Sequence, residues 1–310
     1  MASIARTALL RLSKSEWLAN RVMRRPFALR AVRKFMPGEE LSDALAAAAA
    51  LAPLGLGALL TKLGENLTAE PEASAVRDHY LDAFDRIRAR NLDAHVSVKA
   101  TQLGLDFSQR HCAEHLNVLA QKAEDGGTYL WLDMEDSSYV DRTIELYRGL
   151  RERHPKVGLA IQAYLRRTPR DLAALRPLRP TIRLVKGAYS EPAGVAFPAK
   201  RDVDQAYYDI SVELLRAAAN GEVRPIFGTH DMALVDRIVS RAGELGVTNG
   251  RYEIHMLYGI RMADQKALAA GGRVVKTLIS YGSSWFPWYL RRLAERPANV
   301  WFVARSMFSR

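Results

Sequence analysis

From residue 58 onward the chain keeps a regular beat of short apolar runs separated by longer amphipathic stretches. The runs are ALLTKLG (58–64), HVSVKAT (95–101), YLWLDM (129–134), VGLAIQAY (157–164), TIRLVKG (181–187), RPIFGTH (224–230), RYEIHML (251–257) and RVVKTLI (273–279). Between them apolar residues recur at helical spacing near 72–90, 110–125, 138–153, 204–221, 232–246 and 262–270, with Asn220-Gly221 set to end one helix. A shorter helical stretch lies at 169–177. Eight strand-like runs, each followed by a helix, imply a parallel sheet, and closing that sheet into a barrel buries every strand. The alternative is an open doubly wound sheet. It would carry a glycine-rich phosphate loop after its first strand, and LGENLTAE (63–70) is not GxGxxG.

The part before residue 58 is different in kind. Residues 44–60, ALAAAAALAPLGLGALL, are apolar but interrupted by Pro53, Gly55 and Gly57, and 17 residues are too few for a comfortable membrane span. They read as a helix stopped at Pro53 that leads into a buried strand. The expected organisation is a helical arm over 1–57 and a (βα)8 barrel over 58–310.

Charge changes the picture of that arm. The net charge is +11, and residues 1–35 hold nine Lys or Arg against one acid, Glu16, which leaves only +3 for the remainder. A groove that tracks nucleic-acid phosphates needs the charge on the folded body, so a nucleic-acid partner is not expected. Leu9, Leu10, Leu12, Trp17, Leu18, Val22 and Met23 are interleaved with the basic residues. That pattern suits basic helices packed on the body or lying on an anionic membrane surface, with an organellar transit peptide as the alternative. The single cysteine, Cys112, excludes a disulfide framework and any multi-cysteine metal site, and its helical setting reads as a buried structural thiol.

Active residues of a barrel lie at the C-terminal ends of its strands. Those ends carry Glu65, Lys99, Asp133, Gln162 with Tyr164, Arg183 with Lys186, Thr229-His230-Asp231, Leu257-Tyr258 and Tyr281. Polar groups on nearly every strand end point to an active-site mouth. Two readings of single features compete. The acidic LDMED (132–136) could bind a metal, but no second cluster with ligand spacing supports it, so no metal is expected. Lys186 could form a Schiff base, which would require a desolvated amine.

Taken in order, GENLT, SVKATQLG, LWLDMEDS, QAYLRRT, RLVKGAY, GTHD, YEIHMLYGIR and YGSSWFPWYLRRLAERPANVWFVARS make the sequence resemble the proline dehydrogenases, in their small monofunctional bacterial form, from about residue 58 to 305. The resemblance implies a distorted (βα)8 TIM barrel with FAD at its mouth. It implies oxidation of L-proline to 1-pyrroline-5-carboxylate, electron delivery to a membrane quinone, and a 1-pyrroline-5-carboxylate dehydrogenase as the next enzyme. The location it implies is the bacterial cytoplasm, peripheral to the inner membrane. Matched residue by residue, Arg183 is the flavin-contacting arginine and Asp133 the active-site aspartate. Met134, Gln162, Lys186, Gly187, Ala188, Thr229, His230 and Leu257 line the cofactor. Lys99, Arg291 and Arg292 hold the substrate carboxylate, Tyr281 packs near the proline ring, and Glu65 pairs with Arg291 as a gate.

Two positions depart from the family pattern. Trp288 stands where a tyrosine is expected, and His255, one alternation from the lining side, stands where a glutamine is common. A further arginine doublet, Arg166-Arg167, has no assignment in the family and reads as a surface or loop-anchoring pair, with a pyrophosphate contact as the alternative.

Overall fold

Strands buried on both faces cannot alternate cleanly between polar and apolar, and this is why the eight runs look nearly continuous. In the computed structural model, which describes residues 32–64 and 67–286, they form one closed parallel barrel. Its strands are β1 (Gly57–Lys62), β2 (Ala94–Lys99), β3 (Leu130–Asp133), β4 (Val157–Gln162), β5 (Thr181–Val185), β6 (Arg224–Gly228), β7 (Glu253–Leu257) and β8 (Val275–Tyr281). Each pairs with the next, and β8 returns to β1 with Gly57 opposite Lys276 and Lys62 opposite Tyr281.

The helices are α1 (Leu41–Leu51), α2 (Glu70–Ala89), α3 (Gln109–Asp125), α4 (Val140–Arg151), α5 (Thr168–Leu175), α6 (Lys200–Ala219), α7 (Met232–Glu244) and α8 (Met262–Ala270). The short α5 is a full helix, with Pro169 in its first turn. α6 begins before its amphipathic pattern does, where Lys200 reaches Asp204 one turn on. Gly221, at φ +73°, follows the end of α6 in the left-handed conformation that only glycine adopts without strain.

α1 packs against β8 and β1, and its Leu45 and Leu51 share one core with Leu60 and Ile279. A 3-10 turn at Ala52–Leu54, carrying Pro53, turns the chain into β1. Ahead of α1, the Lys34 carbonyl lies directly against Gly259 on the β7–α8 loop, and Glu39 accepts from the Trp285 indole at 3.1 Å. The segment before the barrel therefore braces the rim where β7 and β8 end. Cys112 is buried against the Ala100 carbonyl, and burial pushes its thiol up to about 12, as a structural thiol requires.

The lumen is filled from alternate strand positions. Leu59, Trp131, Ile226 and Leu278 form an apolar plug. Polar groups surround it: Glu253 accepts from Arg224 at 2.5 Å and pairs with His255 at 2.8 Å, while Lys276 reaches Asp93 at 2.5 Å. The indole N–H of Trp131 donates to His95 Nδ1 at 3.1 Å. An indole nitrogen only donates, so this histidine nitrogen carries no proton. Burial holds His95 well below the usual histidine range and takes His255 down to about 4, although the Glu253 carboxylate pulls His255 the other way. His79, on α2, is lowered to about 4 by burial and then by Lys62.

These three histidines make acid sensitivity a property of the fold. Each binds its proton less readily when folded, so the unfolded chain takes up protons first as pH falls. Their contribution is present above about pH 6.5 and declines as pH falls, that of His79 and His255 being lost through about pH 4. Urea midpoints measured across that window should decline, each histidine adding up to about 1.4 kcal/mol per pH unit. His255→Gln should make the decline shallower by at most one proton. An unchanged slope would mean that His255 is already protonated in the folded protein.

Candidate active site

Arg183 is the group around which the mouth is built. It points into the lumen from β5 and is 5% exposed. Its Nη2 donates to Asp133 Oδ1 at the end of β3 and to Ser97 Oγ on β2, the latter at 3.0 Å. Ser97 in turn donates to the same Asp133 oxygen at 2.9 Å. The guanidinium lies over the Trp131 ring, 4.9 Å from its centroid. Burial lowers the Arg183 pKa, and the Asp133 carboxylate works in the opposite direction. Nη1 is buried and has no hydrogen-bond partner among the described residues. Asp133 is thereby committed to aiming an arginine, and Lys99 stands opposite it in the β2–β3 register.

Gln162 closes β4 and is buried. Its Nε2 donates to the carbonyls of Met134 and Glu135, at 3.3 and 3.1 Å, which fixes the amide with Oε1 turned away and without a hydrogen-bond partner among the described residues. Glu135, also buried, accepts from the Thr101 backbone and hydroxyl at 3.1 and 2.7 Å and ties the β3 and β2 exits together. Just past the next strand, Gly187 has φ +110°, and a Cβ there would stand 2.2 Å from the Tyr164 ring. Backbone and aromatic ring approach in a way that no other residue permits.

Lys186 donates to Asp204 at 2.5 Å and Asp231 at 3.1 Å. An amine held between two carboxylates and partly open to solvent is not the desolvated amine that Schiff-base chemistry requires. His230 Nε2 accepts from the Leu257 backbone N–H at 2.8 Å, so a neutral ring carries its proton on Nδ1. Thr229 accepts from the Asp231 backbone at 3.2 Å and shapes the turn.

The ends of β2 to β7 thus gather Lys99, Asp133, Met134, Gln162, Arg183, Lys186, Gly187, Ala188, Thr229, His230 and Leu257 on one rim. Tyr281 is the exception. β8 runs on to this residue and puts it in phase with Thr277, which faces Gln265 of α8. Its hydroxyl meets His79 on α2 at 2.8 Å, on the helix side of the sheet and not in the lumen. His255 also departs from expectation, because it shares the phase of Leu257 and enters the lumen edge-on to Trp131, with ring centroids 5.6 Å apart. Glu65, Arg291, Arg292 and Trp288 lie outside the described residues.

The doublet at 166–167 anchors loops. Arg166 stacks on Phe197 and donates to the Ala193 carbonyl at 3.1 Å, while Arg167 bridges Asp141 and Asp171. Sequence reasoning missed Ser97, Trp131, Tyr164's place under Gly187, and Glu191, which accepts from Ser137 and joins the β5–α6 loop to the β3–α4 loop. Only Ser97 carried a signal, its two-residue spacing from Lys99 on one strand face.

Residues 44–305 match the family model described as proline dehydrogenase. "Proline dehydrogenase 1" of Bacillus subtilis subsp. natto is 36% identical over 90% of this chain and 91% of its own length. "Proline dehydrogenase" of Deinococcus radiodurans is 35% identical over 88% of this chain and 89% of its own. Among solved structures, proline utilization A from Bdellovibrio bacteriovorus, inactivated by N-propargylglycine, superposes with a TM-score of 0.80 at 22% identity, over 86% of this chain and 33% of that one. The last likeness concerns the fold, and this chain spans about a third of that larger protein. With a closed eight-stranded barrel and relatives above 30% identity along nearly their whole length, the chain belongs to the proline dehydrogenase family.

Proposed function

We propose that this protein oxidises L-proline to 1-pyrroline-5-carboxylate at the barrel mouth, using non-covalently bound FAD. The observation that carries the reading is that two buried polar atoms at the rim, Gln162 Oε1 and Arg183 Nη1, find no hydrogen-bond partner among the described residues. One accepts and one donates, as the edge of an isoalloxazine ring requires, and leaving either unmatched in the interior is costly. Gly187, folded tightly over Tyr164, keeps side-chain bulk away from the same rim. FAD bound there would supply the hydride acceptor.

The chain's own groups would then do the following. Arg183, permanently charged, faces the site where negative charge develops, and Asp133 with Ser97 fixes its direction. Gln162, Lys186, Thr229, His230 and Leu257, with the backbone of Met134, Gly187 and Ala188, hold the cofactor. Lys99, Arg291 and Arg292 receive the substrate carboxylate. Glu65 and Arg291 close over the substrate and exclude water. Electrons leave to a membrane quinone and the product passes to a 1-pyrroline-5-carboxylate dehydrogenase. The basic arm at 1–35 supports contact with an anionic membrane surface. No helix among the described residues is long and apolar enough to cross a membrane.

The purified protein should be yellow, should bleach when L-proline is added anaerobically, and should release FAD on denaturation. A well-folded preparation with only FMN, a covalent flavin or no flavin would refute the reading. The arginine doublets at 166–167 and 291–292 should also separate. Arg292→Met should raise the Michaelis constant for proline strongly, because a hydrogen bond to a charged group is worth about 1.5–3 kcal/mol. Arg167→Met should leave it within about threefold, since that side chain holds loops and not substrate. Equal effects of the two substitutions would remove Arg292 from the carboxylate site.

A further inference from the structure

Trp131 is one of the two fully buried tryptophans of the described residues, and it sits in the lumen directly beneath Arg183. Four independent contacts fix it. Its N–H donates to His95 Nδ1 at 3.1 Å. Its ring edge occupies space left by Gly158 on β4, where a Cβ would stand 2.4 Å from the indole. His255 meets it edge-to-face at 5.6 Å, and Tyr129 stacks nearby with centroids 6.1 Å apart. The face that remains carries the guanidinium 4.9 Å above it.

These contacts are more than core filling needs. The His95 hydrogen bond sets the ring's rotation within the lumen, and the missing side chain at Gly158 sets its depth. A desolvated guanidinium over an indole face is among the stronger cation–π arrangements. Asp133 and Ser97 grip Arg183 through Nη2 alone, and Nη1 has no hydrogen-bond partner among the described residues. One gripped nitrogen leaves the plane of the guanidinium undetermined, and the indole face supplies that missing constraint.

We infer that Trp131 is a positioning residue for the oxidation, an indole platform held by His95 and Gly158 that orients the Arg183 guanidinium towards the cofactor. The inference rests on the flavin-dependent reading above. It assigns to Trp131 the rate of the chemical step and not the affinity for proline, whose carboxylate is held elsewhere.

The test is anaerobic stopped-flow of the flavin-loaded, full-length protein with L-proline. Trp131→Leu removes the aromatic face, and at saturating proline flavin reduction should slow about tenfold or more. The proline dissociation constant from the concentration dependence should change less than about threefold. Trp131→Phe keeps a face without the N–H and should recover most of the rate. Wild-type reduction in Trp131→Leu, equal losses in the Leu and Phe variants, or a loss confined to proline affinity would each overturn the inference. If Trp131→Leu fails to fold or to load flavin, Gly158→Ala decides, because it displaces the indole and keeps its chemistry. A comparable slowing supports the platform, and the wild-type rate refutes it. A wild-type protein that carries no flavin would instead refute the functional reading itself.

Discussion

A guanidinium in a closed barrel lumen loses its hydration, and an unpaired buried charge would cost several kcal/mol. Arg183 meets this constraint with one carboxylate, one hydroxyl and one aromatic face, drawn from three residues on two neighbouring strands. Much else follows from that arrangement. Asp133 ends β3 at the height of Lys99, Ser97 fills the gap between carboxylate and guanidinium, and Trp131 occupies the level below. The indole needs an acceptor, which is His95, and room, which is Gly158. The lower lumen then gathers Glu253, Arg224 and His255 as a self-compensating group.

Buried ion pairs seldom add stability over a well-packed apolar alternative. Their value here is directional. A strand-end arginine held on Nη2 alone could swing about that contact, whereas one that also lies on an indole has a defined plane. The same economy recurs at Gln162, whose amide protons are spent on two backbone carbonyls so that its oxygen is left without a hydrogen-bond partner among the described residues. In both cases fixed partners define the orientation of the one atom left over.

The barrel and most of its rim were legible because parallel strands buried on both faces leave unbroken apolar runs with charged ends. The phase within each run was not legible. Tyr281 reads as a mouth residue when β8 is taken to stop at Ile279. Once the strand runs on to Tyr281, the alternation turns that side chain towards His79. His255 failed for the same reason, since nothing in RYEIHML marks which apolar face is lumen and which meets the helices. Trp131 and Gly158 were invisible individually, because their significance lies in a contact between neighbouring strands. The Arg166-Arg167 doublet was read correctly as loop anchoring, from the lack of any assignment for it at the mouth.

The claim that Asp133 and Arg183 act as one unit is tested most directly by a double-mutant cycle across them. The readout is the rate of flavin reduction by saturating L-proline in Asp133→Ala, Arg183→Met and the double variant, each checked for folding and flavin content. The expected result is a loss in the double variant well short of the product of the single losses, with a coupling on the order of 1–3 kcal/mol. Strictly multiplicative losses would contradict the account, because they would mean that the carboxylate and the guanidinium reach the reaction independently.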